Sequence, residues 1–302
     1  NKISTLDIAC IVTQPARPVG RDKVVTPTPV ELWAKKQNTT LLTFPSDGEK
    51  PWLYKDESMV IETLATIKAD LIISACYGER IPFQTIHAAR FGGVNVHPSL
   101  LPRWRGGDPV PWAILAGDHQ TGVSVVTLGE SFDQGIILGQ KKLPIKVTDF
   151  PDDLRTKLFT EGADLLVELL PDVLNKKIST LQESMQKKEK LSREAFPYAR
   201  RFTRQDGFIP FELIQSTLKD LNIPTIQQYS NITIVKIARE QSEEKQINLP
   251  NLIERAFRAF SPWPGIWTTV DVYGQQKRLK LLDVVIDQSK KTLIIKTVQL
   301  EG

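Results

Sequence analysis

Three short runs rich in β-branched residues, Asp7–Thr13, Leu71–Ala75 and Gly93–Val96, constrain the fold of this chain more than any other feature. Each is closed by turn residues and has the length of a buried strand rather than a helix. Around them, apolar residues recur at helical spacing over Val30–Lys36, Met59–Lys68, Pro82–Ala89 and Pro109–Ala116. Strands alternating with helices predict an α/β architecture around a parallel, doubly wound, Rossmann-like sheet. Thr121–Leu128 and Gly135–Pro144 read as a further strand pair, which gives the sheet a mixed edge. Phe150–Leu170 contains a long helix, with Leu154, Leu158, Leu165, Leu166 and Leu169 at helical spacing.

The pattern changes at Pro171. Residues 171–210 are charged and poor in apolar anchors, and read as a basic linker. The reading therefore divides the chain into a catalytic domain over 1–170, the linker, and a smaller domain over 211–302. In that last part Phe211–Leu218 predicts a helix and Asn231–Ala238 a strand. A helix over Leu252–Phe260 carries Leu252, Ile253, Ala256, Phe257 and Phe260 on one face, and Ser261-Pro262-Trp263-Pro264 stops it. Strands are expected at Trp267–Tyr273, Arg278–Val285 and Thr292–Leu300, with a hairpin turn at Tyr273-Gly274-Gln275-Gln276. Several short strands with one helix point to a small OB-like β-barrel.

Composition excludes extremes. The 302 residues are 41% hydrophobic and 25% charged, as in an ordinary globular protein. No apolar run approaches the roughly 20 residues needed to span a bilayer. The first residues lack a signal peptide's charged start and cleavage site. The two cysteines, Cys10 and Cys76, sit in apolar stretches and read as buried thiols, which suits a reducing compartment. The net charge of +4 decides nothing by itself. Its distribution says more. Lys187, Lys188, Lys190, Arg193, Arg200, Arg201 and Arg204 form one cluster, and Arg17, Arg21 and Lys23 another. Such runs are solvated faces or sites for a polyanion.

The densest chemical signal is Gly92–Gly107. A strand here runs into a loop, and ligands of open α/β sheets bind at the carboxyl ends of strands. Asn95 and His97 are two apart on an extended segment, so both face one side, while Val94 and Val96 face the other. Asp133, in a turn eased by Gly135, is the candidate third group. An amide, an imidazole and a carboxylate suit acyl transfer to an amine. Asn95 and His97 can stabilise the developing oxyanion or take the amine's proton, and Asp133 can orient the imidazole. A structural hydrogen-bonding role for His97 stands beside this, and it is the reading for His87 and His119. The spacing fits no standard metal-ligand set, so no metal is expected.

Asn-x-His-x-Ser-Leu-Leu-Pro over Asn95–Pro102, then Arg103-Trp104-Arg105-Gly106, then Asp133-Gln134-Gly135, resembles the folate-dependent formyltransferase family. The resemblance implies that Asn95, His97 and Asp133 are catalytic. It also implies that Ser99, Leu100, Leu101 and Pro102 line the site for 10-formyltetrahydrofolate, the formyl donor. Two further segments resemble the branch that acts on methionyl-initiator-tRNA: Thr13–Arg21 closing at Pro27–Val30, and Ala256–Pro264. That resemblance implies tRNA contacts at Arg17, Gly20, Arg21, Lys23, Lys187, Lys188, Arg200 and Arg201, where phosphates would meet cations. A monomer is expected, in a bacterial cytoplasm or a mitochondrial matrix.

Departures accompany the resemblance. The family's first strand and turn, roughly 25–30 residues of a βαβ unit, are expected to be absent, and a fragment of a longer product is expected. Asp108 places a charge where the family usually has none, and residues 211–248 read as an insertion or a rearranged start to the barrel. Two other functions fit the residues less well: formylation of a sugar nucleotide or other small amine, and non-catalytic RNA binding.

Overall fold

The computed structural model describes residues 6–20, 22–175, 198–218, 226–242 and 247–301. The chain forms two compact units: one built within Asn1–His97, Val123–Lys141 and Glu161–Arg193, the other within Pro98–Gly122, Lys142–Thr160 and Glu194–Gly302.

The first unit holds two ladders. In one, β1 (Ile11–Thr13) pairs in parallel with β4 (Leu41–Thr43). An antiparallel hairpin, β2 (Arg17–Val19) and β3 (Val24–Thr26), lies between them in sequence. Helix α1 (Pro29–Lys36) packs on both strands of the ladder. It starts at Thr28, whose hydroxyl accepts the Glu31 N–H at 3.0 Å, and it has proline at its first position. After α2 (Glu57–Ile67) comes β5 (Ile72–Ala75), and α3 (Phe83–Ala88) precedes β6 (Gly93–His97). The second ladder runs β5-β6-β7-β8, with β7 (Gln120–Thr127) and β8 (Ile137–Pro144). β5 and β6 are parallel and β7 is antiparallel to β6. Helix α5 (Pro151–Asn175) crosses β6 and β7 closely at Gly162. A Cβ there would lie 2.6 Å from Val96 and 2.7 Å from Val123, so only glycine allows this approach.

The strands and helices alternate as the Rossmann-like reading expects, with the mixed edge at β7, but the doubly wound sheet is divided. Periodicity identifies strands but not their neighbours, and the parallel pairs fall into two ladders. The expected strand at Asp7–Thr13 is confined to Ile11–Thr13, and β4 and the hairpin were not anticipated, because three-residue strands leave almost no periodicity.

In the second unit every residue of α4 (Pro109–Ala116) is buried. It packs against α7 (Thr233–Gln241) and α8 (Leu249–Ala259), which follow α6 (Phe211–Leu218). Trp104, Trp112, Phe202 and Phe260 form a continuous aromatic row, with successive ring centroids 5.6, 5.0 and 4.7 Å apart. Strands β9 (Ile266–Val272), β10 (Gln275–Asp287) and β11 (Thr292–Leu300) make an antiparallel meander. Among the described residues it is an open sheet and not the expected closed barrel. The strand expected at Asn231–Ala238 is instead α7. Its β-branched residues misled the reading, but Ile234, Val235, Ile237 and Ala238 are the buried ones, at helical spacing, and packing overrides propensity here.

Residues 171–175 continue α5 past Pro171. Lys187, Lys188 and the rest of 176–197 lie outside the described residues, as does Arg21. Residues 198–210 are part of the second unit: Ala199 bonds to the Arg105 carbonyl at 2.6 Å and accepts the Asp108 N–H at 3.1 Å. Among the described residues, no helix is long and apolar enough to cross a membrane.

Candidate active site

β6 is an inner strand of its ladder, and it alternates as its sequence requires. Val94 and Val96 are buried on one face, and Asn95 and His97 share the other. Asp133 comes to them from the turn after β7, in the left-handed region at φ 54°. Thr127 holds that turn. Its hydroxyl accepts the Ile136 N–H at 2.8 Å, and its own N–H donates to the Ile136 carbonyl at 2.9 Å. Gly135 lies so close that a Cβ would stand 1.8 Å from the Thr127 carbonyl oxygen. Sequence reasoning found Gly135 but missed Thr127, for which the sequence carries no signal.

One oxygen of Asp133 serves both partners. Oδ1 accepts Asn95 Nδ2–H at 3.4 Å and lies 3.3 Å from His97 Nδ1. The His97 and Asp133 side chains are 5% and 7% exposed, so the contact is shielded from water. Asp133 Oδ1 is placed to accept a hydrogen from Nδ1 of the imidazole. Asn95 Nδ2 has a second hydrogen for another acceptor. The expected trio is brought together.

The segment after His97 follows a different pattern from that expected. Ser99 is fully buried, and its hydroxyl faces the carbonyl oxygens of Arg103 at 2.8 Å and Trp104 at 3.3 Å. Leu101 is also buried, while Leu100 and Pro102 keep part of their surface. Ser99 and Leu101 thus shape the loop, and Leu100 and Pro102 retain its apolar outer surface. Asp108 is paired with Arg155 at 3.4 Å. Burial raises its carboxyl above the usual range, against the pull of Arg155 and Arg201.

Among the basic residues, Arg17 and Lys23 are exposed on the β2–β3 hairpin, and Gly20 takes φ 76° near its tip. Arg200 has a structural bond. Its guanidinium grips Asp206 at 2.8 and 2.6 Å, and Asp206 also accepts from the Thr203 N–H and the Thr203 and Thr233 hydroxyls. Burial opposes the charge on Asp206, but these donors prevail and hold the carboxyl well below the usual carboxylate range. Arg201 is exposed. The cysteines depart from expectation: Cys10 is half-buried, with its thiol pushed up by burial, and Cys76 is exposed. Among the described residues, no cluster of ligating side chains could hold a metal.

The family described as formyl transferase matches residues 1–170. The chain belongs to this formyltransferase family. Relatives that match along most of its length are methionyl-tRNA formyltransferases. That of Listeria monocytogenes serotype 4b (strain CLIP80459) is 35% identical over 292 residues, covering 95% of this chain and 75% of the relative. That of Chloroflexus aurantiacus (strain ATCC 29366) is 34% identical over 263 residues, covering 87% and 68%. Among solved structures, HypX from Aquifex aeolicus in complex with tetrahydrofolic acid aligns with a TM-score of 0.49 at 14% identity, covering 91% of this chain and 38% of that one. A 4-N formyltransferase from Francisella tularensis aligns with a TM-score of 0.49 at 16% identity, covering 82% and 79%.

Proposed function

We propose that this chain transfers a formyl group from 10-formyltetrahydrofolate to the α-amino group of methionyl-initiator-tRNA, with Asn95, His97 and Asp133 at the reacting centre. The observation that carries the reading is the shared Asp133 oxygen, which holds an amide and an imidazole on one face of β6. Homology to methionyl-tRNA formyltransferases over 95% of the chain supplies the acceptor.

The folate supplies an activated formyl group. This chain's residues do the rest. The amine lone pair forms the new N–C bond, negative charge gathers on the formyl oxygen, and the bond to the folate nitrogen breaks. Asn95 Nδ2 donates its second hydrogen to that oxygen. His97 Nε2 takes the proton lost by the amine and returns one to the departing folate nitrogen. Asp133 holds the imidazole in place through these steps by its contact with Nδ1. The half-buried Leu100 and Pro102 fit a flat heterocycle with an apolar face. Ser99 and Leu101 support them from within.

Arg17, Gly20 and Lys23 of the hairpin grip the tRNA in this reading, with Arg21, Lys187, Lys188, Arg200 and Arg201 as further phosphate contacts. Arg200 is the weakest of these, since Asp206 already neutralises it. The meander β9–β11, packed on the buried helix α8, serves in this reading as the OB-like tRNA-binding module. The protein acts as a monomer in a bacterial cytoplasm.

The test is formyl transfer by the purified chain, given 10-formyltetrahydrofolate and methionyl-initiator-tRNA, with uncharged tRNA as control. Transfer that requires the methionyl ester supports the reading. Transfer to a sugar nucleotide or other small amine, with none to the tRNA, would overturn it.

A further inference from the structure

The loops that leave β1, β4 and β5 meet on one buried carboxylate, that of Glu79, which is 3% exposed. Its Oε1 accepts from the Ser46 hydroxyl at 2.8 Å, from the loop after β4. Its Oε2 accepts from Gln14 Nε2 at 3.2 Å, and Gln14 is the first residue after β1. The same nitrogen donates to the Tyr77 carbonyl at 3.2 Å. The donors these hydrogen bonds bring to Glu79 are neutral. Burying a carboxylate among neutral donors is costly and contributes little net stability. The placement points to a role other than stability.

Gln14 is where the chain leaves the ladder for the basic hairpin. β2 and β3 are exposed at every position, so the hairpin has no packed face to orient it. A lone two-stranded hairpin is marginal in water. Its direction is therefore set at its root. There the Thr13 and Thr28 hydroxyls meet at 2.9 Å, and Gln14 is fastened to Glu79.

We propose that Glu79 is a positioning residue: by holding Gln14 it fixes the root of the basic hairpin, and so sets where Arg17 and Lys23 meet the tRNA. This rests on the tRNA reading of the hairpin. At about 3.3 Å per residue, six residues reach ~20 Å, so a 10–20° swing at the root moves the tip by roughly 3–7 Å. Such a displacement is comparable to the Debye length of about 8 Å. General attraction for tRNA survives it, but individual phosphate contacts do not.

The experiment measures kcat and KM for both substrates in Glu79→Ala, Gln14→Ala and the double variant, beside Arg17→Ala/Lys23→Ala. Each single variant is expected to raise KM for methionyl-tRNA about five- to tenfold, with kcat and the KM for the formyl donor within about twofold. The double variant should be no worse than either single, because both cut one tether. An unchanged tRNA KM, a fall confined to kcat, or additive effects would overturn the proposal. If Arg17→Ala/Lys23→Ala raises KM while Glu79→Ala does not, the tether alone falls. If neither changes KM, the tRNA reading of the hairpin falls and the role of Glu79 falls with it. Should Glu79→Ala not fold, Gln14→Ala, at a half-buried position, reads the same tether.

Discussion

Asp133 meets His97 through Nδ1, 3.3 Å from its Oδ1, so Nε2 lies across the ring from the carboxylate. In the proposed reaction the imidazole is thereby divided into a nitrogen that is held and a nitrogen for proton transfer. His97→Ala and Asp133→Ala should each lower the transfer rate by about 10²–10⁴-fold. tRNA affinity should hardly change in either, since neither side chain belongs to the basic hairpin. Single-turnover transfer and filter binding on the same preparations measure the two quantities. Wild-type rates in either variant would end the assignment of the chemistry.

Gly135→Ala should act on the same centre from a distance. The new methyl would collide with the Thr127 carbonyl oxygen, 1.8 Å from the Cβ position. The turn must shift, and Asp133 with it. A loss of roughly 10²-fold in kcat is expected, since small misplacements of a reacting group are expensive. The tRNA KM should stay near its normal value. Unaltered kcat in a folded Gly135→Ala protein would show that the Asp133 turn tolerates movement.

Salt dependence separates phosphate contacts from the rest. Removing Arg17 or Lys23 should reduce the slope of log affinity against log salt by about one per cation. Arg200→Ala should leave the slope nearly unchanged, because Asp206 already takes its charge. Titrations of tRNA binding at several salt concentrations decide this. A slope change for Arg200 equal to that for Arg17 would return Arg200 to the tRNA surface.

Acid should expose the Arg200–Asp206 pair. The folded carboxyl lies below its ordinary range, so its contribution is complete above the unfolded value of about 3.9 and fades as pH falls through the folded value. Asp206→Asn is expected to cost about 2 kcal/mol near pH 6. The gap from wild type should narrow progressively as the pH is lowered below about 3.9. Urea melts of both proteins from pH 6 to pH 2.5 follow it, and a gap that stays constant would contradict the charged-pair account.

The trio was legible because a strand's period of two places Asn95 and His97 together whatever the rest of the fold does, and because Asp133 and Gly135 sit in an obvious turn. Other features left no such mark. α7 reads as a strand until its partners on α4 are known, since β-branched residues dominate it. The grip of Asp206 on Arg200 depends on the turn over Arg204–Gly207 and on Thr233, far along the chain. A run of charge reveals neither. Cys76 looks buried in Leu-Ile-Ile-Ser-Ala-Cys, but it lies past the end of β5, in the left-handed region at φ 53°. Glu79 gave no signal because its partners, Ser46 and Gln14, are 33 and 65 residues away.

The Thr13–Thr28 hydroxyl pair closes the neck of residues 14–27. The length of a loop closed in this way is cheap to change, since each doubling costs only about 0.6 kcal/mol in closure entropy. The hairpin can therefore lengthen, shorten or exchange its charges while β1, α1 and the reacting centre stay as they are. Under the proposed roles, the choice of RNA can diverge while the chemistry stands still.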